Sequence, residues 1–128
     1  MAETLTELRV HCDEAAPAVV RAAISQLAGI DRPVLEDAKL VASELVSNAV
    51  RHSRCADHEY LNVRVRGDGW LRLSVVDPGR SGGIAKVASR PLELGGMGLR
   101  VVEKVASRWG TKWRAQGYEV WADLELRT

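Results

Sequence analysis

The chain has almost no surplus charge: 18 basic residues face 17 acidic ones, a formal net charge of +1 over 128 residues. A nucleic-acid partner or an anionic membrane surface is therefore not expected. No apolar run approaches the roughly 18 residues that a spanning helix needs. The first residues, M-A-E-T-L-T-E-L, lack the basic flank and apolar stretch of a signal peptide, so a cytoplasmic protein is expected. Cysteine is scarce as well. Cys12 has core parity in its strand and Cys55 sits in a polar loop, and two cysteines make neither a metal set nor a disulfide framework. Reduced thiols are the expectation. His11 and His58 fall at exposed strand positions and read as solvated. Repeats and low-complexity linkers are missing too. What is present is 46% hydrophobic residues, enough for one core and too few for two, so residues 1–128 read as a single domain.

Residues 5–12 alternate as a strand with Leu8, Val10 and Cys12 inward. Asp13 reads as the N-cap of a helix running to about Gly29, with Pro17 tolerated in its first turn. Asp31 caps a second helix, with Pro33 near its start. Residues 59–66 set Leu61, Val63 and Val65 against Asn62, Arg64 and Arg66, and Gly67-Asp68-Gly69 turns the chain into a strand ending at Asp77. Residues 79–95 carry glycine and serine and no periodicity; a loop of that length is usually functional or mobile. A third helix over 97–107 and strands over 108–114 and 118–126, joined through Gln116-Gly117, complete the chain. Trp109, Trp113 and Trp121 read as sheet and core packing. The order predicts a two-layer α/β (α+β) sandwich, helices on one face of a mixed, mostly antiparallel sheet.

Three segments carry chemistry. In the first, E-L-V-S-N-A-V-R-H from Glu44 to His52, Val41, Leu45, Asn48 and His52 fall within about 60° of one another on a helical wheel, with Glu44 about 40° beyond Asn48. A stripe of that kind is normally Leu, Val and Ala. A buried amide beside a carboxylate costs desolvation unless something hydrogen-bonds both; a polar pair tied to neighbouring backbone accounts for this helix equally well. In the second segment, S-V-V-D-P-G, Asp77 has the parity of Leu71, Leu73 and Val75 and so emerges on the apolar face where Pro78 and Gly79 end the strand. The commonest job of an Asp before Pro-Gly is to cap its own turn. The third, L-G-G-M-G-L, opens an amphipathic helix. Its glycines let backbone approach a ligand, and unpaired N–H groups at the helix start form an anion site. It is neither a dinucleotide fingerprint nor a Walker A loop.

In this order the segments resemble the GHKL (Bergerat-fold) ATPases, closest to the small bacterial anti-sigma-factor serine kinases with a histidine-kinase-like ATPase domain. Residues 40–52 look like the N box, Asp77-Pro78-Gly79 like the G1 box, and Gly95-Gly96-Met97-Gly98-Leu99 like the G2 box. R-W-G at Arg108 to Gly110 and V-W-A-D-L at Val120 to Leu124 look like the closing strands, and residues 79–95 like the ATP lid, where Lys86 and Arg90 read as solvated. Ser81 replaces the second glycine of the usual D-x-G-x-G. Met97 stands where relatives often carry a basic residue, and Glu119 where a Thr often reaches toward the adenine.

The resemblance implies ATP and Mg²⁺ as cofactors, with Asn48 holding the metal through its side-chain oxygen. Glu44 would be the general base or would orient the attacking hydroxyl, and Arg51 and His52 would lie near the phosphates. Asp77 would accept a hydrogen bond from the adenine amino group, Gly79 would leave room for the base, and Gly96 and Gly98 would present N–H groups to the phosphates within a nucleotide-binding stretch of Gly95, Gly96, Met97, Gly98 and Leu99. One amide oxygen suffices for Mg²⁺, which keeps waters and takes phosphate oxygens; phosphoryl transfer asks mainly for positioning and charge neutralisation. The implied function is an anti-sigma factor with serine kinase activity toward a small antagonist protein. Its partners would be a sigma factor and an antagonist bearing an acceptor serine, with room for a homodimer. A nucleotide-sensing module that grips a partner without turnover is the alternative. The catalytic half of a split histidine kinase is a weaker one, since no helix hairpin carries a phosphoacceptor histidine.

Overall fold

The computed structural model describes residues 3–53, 55–79, 97–115 and 117–126, and of residues 97–99 the backbone alone. Alternation of apolar and polar residues builds five strands: β1 (Glu3–His11), β2 (Tyr60–Gly67), β3 (Trp70–Asp77), β4 (Arg108–Arg114) and β5 (Gly117–Glu125). Three helices, α1 (Ala16–Ser25), α2 (Arg32–His52) and α3 (Met97–Val105), complete the described elements. The strands form one sheet in the order β1-β2-β3-β5-β4. Every neighbouring pair among the described strands is antiparallel, within the mostly antiparallel sheet expected.

One face of the sheet meets the helices. Leu61, Val63 and Val65 of β2, Leu71, Leu73 and Val75 of β3, and Val120, Ala122 and Leu124 of β5 are buried there with Val20 and Ile24 of α1, Val41 and Leu45 of α2 and Val102 of α3. Full burial of a side chain of this size contributes about 1.5–3 kcal/mol. The central helix α2 packs against α1 and α3 as well as β3 and β5. No described helix is long and apolar enough to cross a membrane.

No described helix lies on the other face, and its side chains line up in cross-strand rows. Arg9, Asn62, Val76, Glu119 and Lys112 form one row, and Glu7, Arg64, Ser74, Trp121 and Gly110 the next. Arg66, Arg72, Asp123 and Arg108 form a third. Gly110 is required where it stands, because a Cβ there would lie 2.9 Å from the Trp121 ring. The Arg72 guanidinium lies over that ring, 4.1 Å from its centroid, and 5.3 Å from that of Trp70.

Several expectations are corrected at their edges. The Asp13 carboxylate accepts the Ala15 N–H at 2.9 Å in a turn one step too early to cap, and Ala15 occupies the N-cap position of α1. The helix ends at Ser25 rather than near Gly29, because the N–H groups of Gln26 and Leu27 turn back to Ala23 and Ile24 carbonyls. Asp31 is the N-cap residue of α2 with Pro33 in the first turn, as expected, although its side chain makes no capping hydrogen bond. The hairpin at Gly67-Asp68-Gly69 forms, with Gly69 at φ +75°.

The cysteines overturn the reduced-thiol expectation: Cys12 and Cys55 form a disulfide, with Cα atoms 6.2 Å apart. After α2 the chain doubles back so that the Cys12 N–H reaches the Glu59 carbonyl at 2.9 Å, and this return places Cys55 behind the end of β1. His11 and His58 are exposed as expected, His11 with its ring 4.5 Å from that of Tyr60.

Candidate functional site

The long period of α2 decides which side chains point inward. Val41 and Leu45 are buried in the core and Asn48 continues the same stripe, 5% exposed. Its Oδ1 is buried without a hydrogen-bond partner among the described residues. Leaving an amide oxygen unsatisfied costs about 1–3 kcal/mol, so such an atom calls for an explanation. Glu44, one turn earlier, is half-buried; His52, one turn later, is half-buried, and Arg51 points into solvent.

Opposite the end of α2, strand alternation brings Asp77 out on the helix-covered face, 6% exposed. The Gly79 N–H donates to its carboxylate at 2.6 Å, closing the Asp-Pro-Gly turn. Gly79 takes φ +81°, a conformation that side chains resist. Burial pushes the Asp77 carboxyl up to about 6, against a partial pull downward from the backbone N–H groups of Gly79 and Tyr118. Among the described residues no cation pairs with it.

The β3–β5 register sets Tyr118 directly across from Asp77. The Tyr118 hydroxyl is buried and completes no hydrogen bond among the described residues, although Thr111 faces it. Its ring meets that of Trp113 edge-on, centroids 4.9 Å apart. Gly117 begins β5 at φ +151°, and a Cβ on it would overlap the Asp77 carbonyl oxygen. Asn48, His52, Ser53, Val75, Asp77 and Tyr118 thus line one narrow cleft of about 10 Å³, the room of about one water.

The structure brings Asn48, His52 and Asp77 together and puts Glu44 one turn from Asn48 on the same helix. Met97, Gly98 and Leu99 form the first turn of α3. Gly95 and Gly96 lie outside the described residues, as do Ser81, Lys86, Arg90 and all of the expected lid beyond Gly79. A Cβ at Gly79 would stand 3.1 Å from the Trp113 ring and 3.3 Å from the Gly117 Cα, so the turn packs closely against the start of β5 on that side.

Glu119 does not reach toward this cleft. Its parity places it on the open face, where it is buried and accepts Arg114 Nε at 2.7 Å. Tyr118 holds the neighbouring cleft-side position. Trp113, read as packing, is 41% exposed and borders the Asp-Pro-Gly turn. Parity alone could have found Tyr118, which alternates with Val120, Ala122 and Leu124. Trp113 needed the β4–β5 register.

No group of three or more His, Cys, Asp or Glu among the described residues could hold a metal by itself. The orphaned oxygen of Asn48 suits a hard cation that takes its remaining ligands from water and phosphate, which is the habit of Mg²⁺.

The sequence matches a family model of the histidine kinase-like ATPase domain over residues 7–123. No curated protein matches it. It is similar to the crystal structure of the RsbU and RsbW domains of Rv1364c from Mycobacterium tuberculosis, at 25% identity and a TM-score of 0.68. That alignment covers 96% of this chain and 33% of that one, so this chain spans a third of the similar chain's length.

Proposed function

Because the chain belongs to the histidine kinase-like ATPase domain family, we propose that the cleft between the ends of α2 and β3 is the inner end of an ATP site, and that the protein is an anti-sigma factor phosphorylating a serine on a small antagonist protein. One observation carries the reading. Asn48 Oδ1 and the Asp77 carboxylate, each buried and short of partners, line the same cleft from two different elements.

The cleft is too small for a base as it stands, so the nucleotide lies against its mouth. Asp77 accepts a hydrogen bond from the adenine amino group, which favours its ionised form. Asn48 offers its amide oxygen to Mg²⁺, which when bound neutralises charge on the triphosphate. Glu44, reaching outward one turn earlier, takes the proton of the attacking serine hydroxyl. Arg51 and His52 would lie toward the phosphates, and the backbone N–H groups of the first turn of α3, Gly98 among them, would serve them. The N-box and G-box resemblance to anti-sigma-factor serine kinases supports the partner assignment, as does the likeness to a chain containing an RsbW domain. A cytoplasmic setting follows from partners of that kind.

Incubation with radiolabelled ATP, Mg²⁺ and antagonist candidates encoded nearby tests the proposal. Wild type should label one serine. Asn48→Ala should lose Mg²⁺-dependent nucleotide affinity, whereas Glu44→Ala should bind nucleotide normally and transfer phosphate about 10²–10⁴-fold more slowly. Binding without transfer to any candidate would favour the non-catalytic nucleotide-sensing module. Failure to bind nucleotide at all would sink both.

A further inference from the structure

We propose that the open face of the sheet, opposite the nucleotide cleft, is a docking surface for an acidic segment of a partner protein. The face carries seven basic side chains (Arg9 on β1, Arg64 and Arg66 on β2, Arg72 on β3, and Arg108, Lys112 and Arg114 on β4) against the acids Glu7, Glu119, Asp123 and Glu125. That balance of +3 sits on a chain whose total is +1, leaving −2 for everything else.

Burial sharpens the asymmetry. The side chains of Glu119 and Asp123 are 8% and 2% exposed, while Arg114, Arg64 and Arg108 are 43%, 45% and 62% exposed. Two of the four acids, Glu119 and Asp123, are drawn into the sheet, while Glu7 and Glu125 stay exposed beside a larger number of exposed basic side chains. Small and uncharged side chains of the middle strands, Asn62, Ser74 and Val76, leave a depression of about 350 Å³ that is also lined by three arginines, Arg64, Arg66 and Arg114, against two acids, Glu7 and Glu119. The Arg66 Nε is buried and has no hydrogen-bond partner among the described residues. A carboxylate entering the depression would meet forked donors.

Two other occupants fit less well. A second copy docking the same face would set exposed arginines against arginines. Bases of a nucleic acid would need open aromatic faces, but Arg9 already lies 4.2 Å from the Tyr60 centroid and Arg72 4.1 Å from that of Trp121.

A fluorescein-labelled peptide of about ten residues, alternating glutamate and serine, serves as probe for the intact chain. Saturable binding at low ionic strength is expected, weakening steeply with salt. NMR shift changes should centre on Asn62, Arg64, Ser74 and the Trp121 indole. The double variant Arg64→Gln, Lys112→Gln should bind the peptide at least tenfold more weakly with unchanged nucleotide affinity; both positions are exposed, so folding should survive. Nucleotide affinity also separates a failure here from a failure of the ATP-site reading. Any of four results would overturn the proposal: equal binding of a lysine–serine peptide, shift changes confined to the helices, tighter binding of a ten-nucleotide single strand on the same residues, or a dimer closed through this face that excludes the peptide.

Discussion

Two buried acids sit on opposite faces of the same sheet, and their surroundings could hardly differ more. Asp123, on the open face, is fully clamped: Arg72 donates to it through Nε at 2.7 Å and Nη2 at 2.9 Å, and Arg108 adds a third bond at 2.8 Å. Its own carbonyl receives the Ser107 N–H. Asp77, on the helix-covered face, has backbone N–H groups and no cation among the described residues, and burial holds its carboxyl up to about 6. A buried acid that is completely paired has little capacity left for a ligand, and removing its charge is costly because its partners are left uncompensated. One left partly paired beside an orphaned amide oxygen is costly to the empty protein, and a ligand that completes it recovers that cost. Burial alone does not mark a site; burial together with unfilled bonding capacity does.

Separating the two acids by mutation gives the largest expected effect. Asp123→Asn removes the charge that two guanidiniums share. Arg72 and Arg108 keep some solvent access, so the loss should be about 2–3 kcal/mol rather than the full cost of breaking a wholly buried pair. Urea unfolding reads this as a lower midpoint, with nucleotide affinity unchanged. A midpoint within about 0.5 kcal/mol of wild type would remove the contrast from the Asp123 side.

Asp77→Asn should do the reverse. It presents an amide where the adenine amino group needs an acceptor, and affinity for ADP–Mg²⁺ should fall by about tenfold or more, about 1.4 kcal/mol. Stability should hold or rise, because a charge no longer has to be buried. Calorimetric titration and a thermal melt on the same sample decide it. Unchanged affinity would take Asp77 out of the adenine site.

The smallest effect is one of pH. The folded-state value of Asp77, about 6, lies above its ordinary 3.8. Its contribution to stability in the empty protein is therefore fully present below pH 3.8 and is lost as pH rises through about 6. Nucleotide binding, which favours the ionised carboxylate, should tighten over the same window, by up to about tenfold between pH 5 and 7. Asp77→Asn removes the carboxyl's share and leaves only the titration of the nucleotide itself. Identical pH profiles for the two proteins would refute the assignment.

Much of the cleft could be read from the sequence because its residues sit where the periods are longest and cleanest. Twenty-one residues of α2 fix the inward heading of Asn48, and the alternation of β3 fixes that of Asp77. The start of α1 was not legible, since Asp13 forms a turn just upstream and leaves Ala15 to begin the helix. The heading of Glu119 was legible from its alternation with Trp121 and Asp123, but the family comparison of that position pointed the other way. Trp113 and the Cys12–Cys55 bond depend on which distant segments meet, and no local pattern encodes that.

Gly117 constrains how this protein can vary. It has no functional group, and it precedes Tyr118, the residue that faces the acid in the β3–β5 register. Only hydrogen fits against the Asp77 carbonyl, so any other residue at 117 must push the Asp-Pro-Gly turn away from the end of α2. Drift at this position would behave as a lesion of the cleft, although the residue supplies no chemistry to it. A variant survey looking only for acids, amides and bases would miss one of the least replaceable positions in the chain.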